Sequence, residues 1–302
     1  MHALTTRNNN KVGDKEIFRM RVSLNGRVLG LIATAFCFLA PLPPAVAAVA
    51  AVAEVAEVAE VWSNTEAHFM YGNYDTPTFA GGGSDDTFAL QLQHASRWKY
   101  GNNFFFVNFA NSGNPEFNDG QMYAEWWSFF SWNRIRGKDA WSGPVAEMGF
   151  IMGLNWSTDL KLRKYLPGVR FALNIPKFRF ANLDFTAYID DSGGIAEGGV
   201  PKEGNSFHVD FNWALPLNVG RQKFSIEGHV EYIGGRDNEF GDPVSWHFLA
   251  QPEFRYDLGN GLWGEESASR LFVGIELQIW INKLGDKNTD EIAPVALVVW
   301  RF

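Results

Sequence analysis

From Trp62 to Phe302 the chain is written in short runs in which apolar and polar side chains take turns. Phe207-His-Val-Asp-Phe-Asn-Trp213 puts three aromatics and a valine on one face, and His208, Asp210 and Asn212 on the other. Phe224-Ser-Ile-Glu-Gly-His-Val-Glu-Tyr232 does the same with Ser225, Glu227, His229 and Glu231, and Leu183–Ile189 and Leu271–Ile279 follow suit. A period of two is the mark of a pleated strand between two different environments. The runs are separated by clusters of Gly, Asn, Asp and Pro that read as turns. Twelve strands are predicted, near 62–71, 86–96, 103–110, 122–133, 144–156, 168–175, 178–190, 205–214, 222–233, 244–256, 269–282 and 293–302.

A soluble sandwich also alternates, but its polar face is usually Thr, Ser and Lys. Here the polar face carries rows of Glu, Asp, His and Arg, while the other is crowded with Phe and Trp. A water-filled lumen and a lipid exterior account for both faces, which predicts an all-β fold: a transmembrane antiparallel β-barrel. The even strand count places both termini on one side, expected to be periplasmic. The connections 72–85, 111–121, 157–167, 191–204, 234–243 and 283–292 are then expected to be extracellular. The last run, Ala293-Pro-Val-Ala-Leu-Val-Val-Trp-Arg-Phe302, ends on an aromatic. It resembles the recognition signal through which outer-membrane barrels engage the assembly machinery, with Phe302 as its terminal residue.

The first residues are of another kind. Arg19, Arg21 and Arg27 precede an uncharged stretch, Val28–Ala40, followed by Pro41, Pro43 and Pro44 and the small run Ala45–Ala48. Basic, apolar and Ala-x-Ala regions in that order predict a cleaved secretory signal peptide over 1–47. A spanning helix is the alternative, but prolines ending it near Ala40 leave roughly 20 Å against a core of about 30 Å. Residues 48–61, with Glu54, Glu57 and Glu60 among Ala and Val, read as a low-complexity tether, and 62–302 as the barrel. The one cysteine, Cys37, lies inside the signal, so a mature chain has neither disulfides nor thiol chemistry. Loss of 1–47 removes six basic and two acidic side chains and takes the net charge from −8 to −12. That balance argues against a nucleic-acid polymer as partner.

Three stretches resemble the Tsx nucleoside-channel family, including its OmpK-like branch: Leu92-Gln-His-Ala-Ser-Arg-Trp-Lys-Tyr-Gly-Asn-Asn-Phe-Phe-Phe-Val-Asn-Phe109, Tyr123-Ala-Glu-Trp-Trp127, and Ile281-Asn-Lys-Leu-Gly-Asp-Lys287 leading to Val298-Val-Trp-Arg-Phe302. The likeness covers Trp62 to Phe302. It implies a twelve-stranded outer-membrane barrel with a narrow lumen that binds and passes nucleosides, and surface loops open to phages or colicins as receptors. It does not place nucleoside contacts residue by residue.

Candidate chemistry sits on the polar face: Glu125, Glu147, Arg170, Asp184 with Tyr188, His208 with Asp210, then Glu227, His229 and Glu231, His247, Glu253 with Arg255, and Glu276 with Gln278. Trp127, in the aromatic row 126–132, is the candidate for a constriction. Charges facing one another across a narrow pore give a transverse field and hydrogen-bond partners for a neutral polar solute. Carboxylates and Gln suit ribose hydroxyls, and Tyr188 suits stacking on a base, worth ~1–3 kcal/mol. The competing reading is that these charges pair with one another, fill the barrel and leave a structural or receptor protein. Glu227, His229 and Glu231 share a face, yet no second His lies at ligand spacing, so neither a metal nor another cofactor is expected. An outer-membrane lipid hydrolase would need His208, His229 or His247 with Ser206, Ser225 or Ser245 on the lipid side. Phe207, Phe224 and Trp246 claim that side, so no catalytic residues are expected. Gly81-Gly82-Gly83 lacks a following Lys and is no phosphate loop.

Overall fold

The computed structural model describes residues 62–112 and 121–302; the expected signal peptide and tether fall outside the described residues. The alternating runs form strands β1 (Trp62–Asp75), β2 (Ser84–Trp98), β3 (Gly101–Ser112), β4 (Gln121–Ser131), β5 (Val145–Ser157), β6 (Leu162–Leu173) and β7 (Phe180–Asp190). They continue as β8 (Ser206–Val219), β9 (Gln222–Ile233), β10 (Arg236–Asp237), β11 (Pro243–Val244), β12 (His247–Asp257), β13 (Leu271–Ile281) and β14 (Glu291–Arg301). Twelve of them make one closed barrel in the order β1-β14-β13-β12-β9-β8-β7-β6-β5-β4-β3-β2, while β10 and β11 form a two-stranded ribbon between β9 and β12. Every barrel pair is antiparallel. Closure runs between β1 and β14, from Glu66 opposite Arg301 to Gly72 opposite Val295. A closed ladder leaves no strand edge with unpaired amides.

Alternation sorts the side chains as the sequence predicts. Phe69, Tyr71, Phe88, Phe105, Phe109, Trp126, Phe150, Phe185, Phe207, Phe254 and Ile275 are all exposed on the outer wall. Their strand neighbours Glu66, His68, Asp184, His208, Arg255 and Glu276 point inward and are buried. Among the described residues no helix is long and apolar enough to cross a membrane.

Several boundaries differ from the sequence reading, mostly at proline. The expected connection 157–167 is only 158–161, because β6 starts at Leu162 and runs through Pro167. The β6–β7 ladder goes from Tyr165 opposite Ile189 to Gly168 opposite Thr186, so Pro167 sits where the pairing with β7 is interrupted, while it stays opposite Met152 in β5. Likewise β8 continues past Pro216 to Val219. The expected plain loop 234–243 contains the β10–β11 ribbon, tied to the β7–β8 connection by a bridge between Glu203 and Asn238. The interior also departs from a uniformly polar lumen. β14 is apolar on both faces: Val295, Leu297 and Val299 point inward and pack with Met70, Ala89 and Phe272.

Up-and-down order puts connections 76–83, 158–161, 191–205, 234–246 and 282–290 at one barrel end. Connections 99–100, 132–144, 174–179, 220–221 and 258–270 lie at the other, with Trp62 and Phe302.

Candidate functional site: the barrel lumen

The inward faces of β4, β8 and β9 meet in the interior. On β4, Glu125 accepts the Tyr123 hydroxyl at 2.6 Å and the Trp127 indole N–H at 2.8 Å. Trp127 stacks on His208 with ring centroids 5.8 Å apart. Strands β5, β6 and β7 separate β4 from β8 in the wall, so this contact crosses the interior. Trp127 also packs on the buried trio Leu166, Tyr188 and Ile233. His208 is held by Thr186 Oγ1 at 2.9 Å and Glu231 at 3.2 Å. His229 places Nδ1 3.0 Å from Asp210 and Nε2 2.9 Å from Gln251. Both nitrogens of His229 are thus engaged by protein, and a metal would have to displace one of these partners. Gln251 in turn donates to Glu276 and Gln278, each at 3.1 Å.

Around this centre three further groups lock. Arg170 forks onto Asp184 with bonds of 2.7 and 2.6 Å, the bidentate geometry that guanidinium and carboxylate favour. Arg255 reaches Glu253, Glu66 (3.2 Å) and Glu227 (3.4 Å), while Glu66 also takes Arg301 at 2.5 Å and His68 at 2.9 Å. At the end bearing the termini, Glu147 pairs with Arg134 at 2.8 Å.

The opposite mouth is narrowed by its own connections. Glu203, from the β7–β8 connection, pairs with Lys164 of β6 and with Arg236 of β10 at 2.7 Å. Lys164 and Arg236 also lie over the ring of Tyr188, at 4.8 and 5.1 Å. Burial opposes the charge on Glu203, but Lys164 and Arg236 outweigh it and hold this carboxyl below its ordinary range. His247 is buried near this mouth, its ring 5.9 Å from Trp280.

All sixteen candidates point inward, and most enter one of these networks. What differs among them is access. The side chains of His229, Glu227 and Glu231 keep 33%, 26% and 17% of their surface open. Arg255 and His208 keep 3% and 1%, so among these side chains the reachable ones are on β9. None of His208, His229 and His247 turns to the outer wall, where a lipid hydrolase would need it. Residues that sequence reasoning missed include Glu66, His68, Lys164, Glu203, Arg236 and Arg301. Glu66-x-His68 carried a signal, since it alternates with Phe69-x-Tyr71. Lys164 was hidden by reading Pro167 as a turn, and nothing in the periodicity marks Glu203 or Arg236 as folding inward.

No protein-family model matches the chain, and no curated protein matches it in sequence. Among solved structures the fold is similar to a KdgM porin, at 10% identity and a TM-score of 0.43, over 78% of this chain and 99% of that one. The same figures hold for that porin in complex with disordered oligogalacturonate. An outer membrane channel from Pseudomonas putida gives 8% identity and a TM-score of 0.42, over 80% of this chain and 95% of that one. Likeness at this level assigns no solute.

Proposed function

We propose that the protein is an outer-membrane channel, exported by its N-terminal signal, that lets small polar solutes, nucleosides first among them, diffuse through a narrow charged lumen. One observation carries the reading: a wall whose outer face is crowded with exposed aromatic and aliphatic side chains encloses polar ones, and the β9 row Glu227, His229 and Glu231 remains open to solute. The resemblance to the Tsx family supports nucleosides as the solute class. In this reading the end bearing the termini is periplasmic, the 191–205 and 234–246 connections face outward, and the Phe302 strand engages the assembly machinery. Carboxylates and Gln251 or Gln278 take hydroxyls, and the ring of Trp127 supports a base, while the expected stacking on Tyr188 gives way because Lys164 and Arg236 already cover that buried ring.

A second reading is favoured by the mouth. Lys164, Glu203 and Arg236 close on Tyr188, and a lumen sealed by such pairs is a receptor barrel rather than a channel. Planar-bilayer recordings of the refolded chain, with nucleosides titrated, separate the two. Small channels blocked by nucleosides well below the sugar or amino-acid concentrations with the same effect are the expected result. Channels indifferent to nucleosides would remove the solute class and keep the pore, and a silent bilayer would select the receptor.

A further inference from the structure

The two ends of the barrel carry opposite charge. Connections at the terminus-bearing end expose Lys99, Arg136, Lys138, Lys177, Arg179 and Arg270, and none of these six pairs with a carboxylate among the described residues. The carboxylates on those connections are Asp139, Glu265 and Glu266, of which Glu265 is taken by Lys223 at 2.5 Å. At the other end the balance reverses: the described connections hold nine carboxylates, Asp159, Glu197, Asp237, Glu239 and Asp242 exposed among them, against five cations. The cations share their end with large exposed apolar side chains: Trp132, Ile135, Trp141, Leu262 and Trp263. Arg136 lies over the Trp132 ring at 5.7 Å, and Lys99 over Tyr100 at 5.0 Å. These residues continue directly from the aromatic outer wall, where Phe180 and Phe105 are exposed.

Trp and Leu beside unpaired Lys and Arg form a surface amphipathic along the barrel axis. The rings fit the boundary between acyl chains and headgroups, and the cations reach just beyond it. A soluble acidic protein would be met by the charges alone and would leave Leu262 and Trp263 unexplained. We infer that this end is a seat for anionic phospholipid headgroups in the leaflet on the terminus-bearing side. The inference rests on the reading that the barrel spans a membrane. It adds a lipid class and a direction: the acidic end has no matching attraction for such lipids.

The test uses the full refolded chain, vesicles of phosphatidylcholine with or without phosphatidylglycerol, and a variant with Arg136→Gln, Lys138→Gln, Lys177→Gln and Arg179→Gln. A control variant carries Asp237→Asn, Glu239→Gln and Asp242→Asn at the other end. Insertion is read from the heat-modifiable gel band, and lipid preference from native mass spectrometry of lipids retained after exchange into neutral detergent. Wild type and the acidic-end variant should retain phosphatidylglycerol over phosphatidylcholine. The basic-end variant should lose at least about fivefold of that preference, what a single surface cation near an anionic leaflet contributes. An inserted wild type with no preference, or a basic-end variant that keeps it, overturns the lipid seat and leaves the spanning barrel standing. Failure to insert into either vesicle overturns the spanning barrel itself.

Discussion

Among single residues, Glu66 is where the interior is most heavily committed. It is 1% exposed, and its two oxygens take Asn64, His68, Gln93, Arg255 and Arg301. A buried carboxylate is stable only with such partners, and removing it strands the guanidinium groups that face it. Arg255 retains Glu253 and Glu227, whereas Arg301 has no other carboxylate partner among the described residues. Glu66→Gln should therefore cost about 3 kcal/mol, the low end for a broken buried pair. Urea unfolding of the vesicle-inserted barrel measures it, and a loss inside ~0.5 kcal/mol would mean that Arg301 is solvated rather than held. The alternation of Glu66 and His68 against Phe69 and Tyr71 was legible in the chain. That Glu66 would meet Arg301, 235 positions away, was not, because only closure of β1 on β14 brings them together.

At the scale of elements the strands were readable and the connections were not. Period-two runs need only a difference between two sides, and most barrel strands supply one, β14 with apolar side chains on both faces being the exception. Proline misled the reading where the ladder tolerates it, as at Pro167 and Pro216. Connections have no periodicity, so a ribbon folding its Arg236 inward and a latch between distant loops left no trace in the pattern. That latch joins 76–83 to 282–290. Asp286 accepts from the Thr78 backbone N–H and hydroxyl, each at 2.6 Å, and from the Thr289 hydroxyl at 2.7 Å. Burial works against its charge, but these bonds prevail and hold the Asp286 carboxyl at about 2. A carboxyl depressed in the folded state stabilises it fully above its ordinary value of about 4, and that contribution is lost as pH falls through the folded value. Thermal unfolding of wild type and Asp286→Asn, followed by gel mobility against pH, should show a constant gap above about pH 4 that narrows below it and vanishes near about pH 2. A gap that persists into stronger acid would assign the effect to geometry rather than charge.

The whole molecule sets two demands against each other. A closed wall of twelve strands must fill or hydrate its inside, and this chain does both. The inward apolar face of β14 packs with Met70 and Phe272, while β9 keeps its polar row reachable. Between them stands Trp127, reaching from β4 to His208 on β8 and resting on Leu166, Tyr188 and Ile233. The aromatic row 126–132 suggested a constriction, but a pattern along one strand cannot say which ring crosses to the far wall. If ions pass this point, Trp127 sets the width. Trp127→Ala opens the contact with His208 and leaves Glu125 only its Tyr123 donor. Truncating a packed Trp costs ~3–5 kcal/mol of stability, so folding is checked first by the heat-modifiable band. Single-channel conductance should then rise, and nucleoside block should weaken by the ~1–3 kcal/mol a stacking platform contributes. A rise in conductance with block unchanged would remove Trp127 as the stacking platform. Conductance unchanged in a folded variant would mean that the ion path runs along β9 and β12, past His229 and Gln251, with Trp127 serving only to brace the wall.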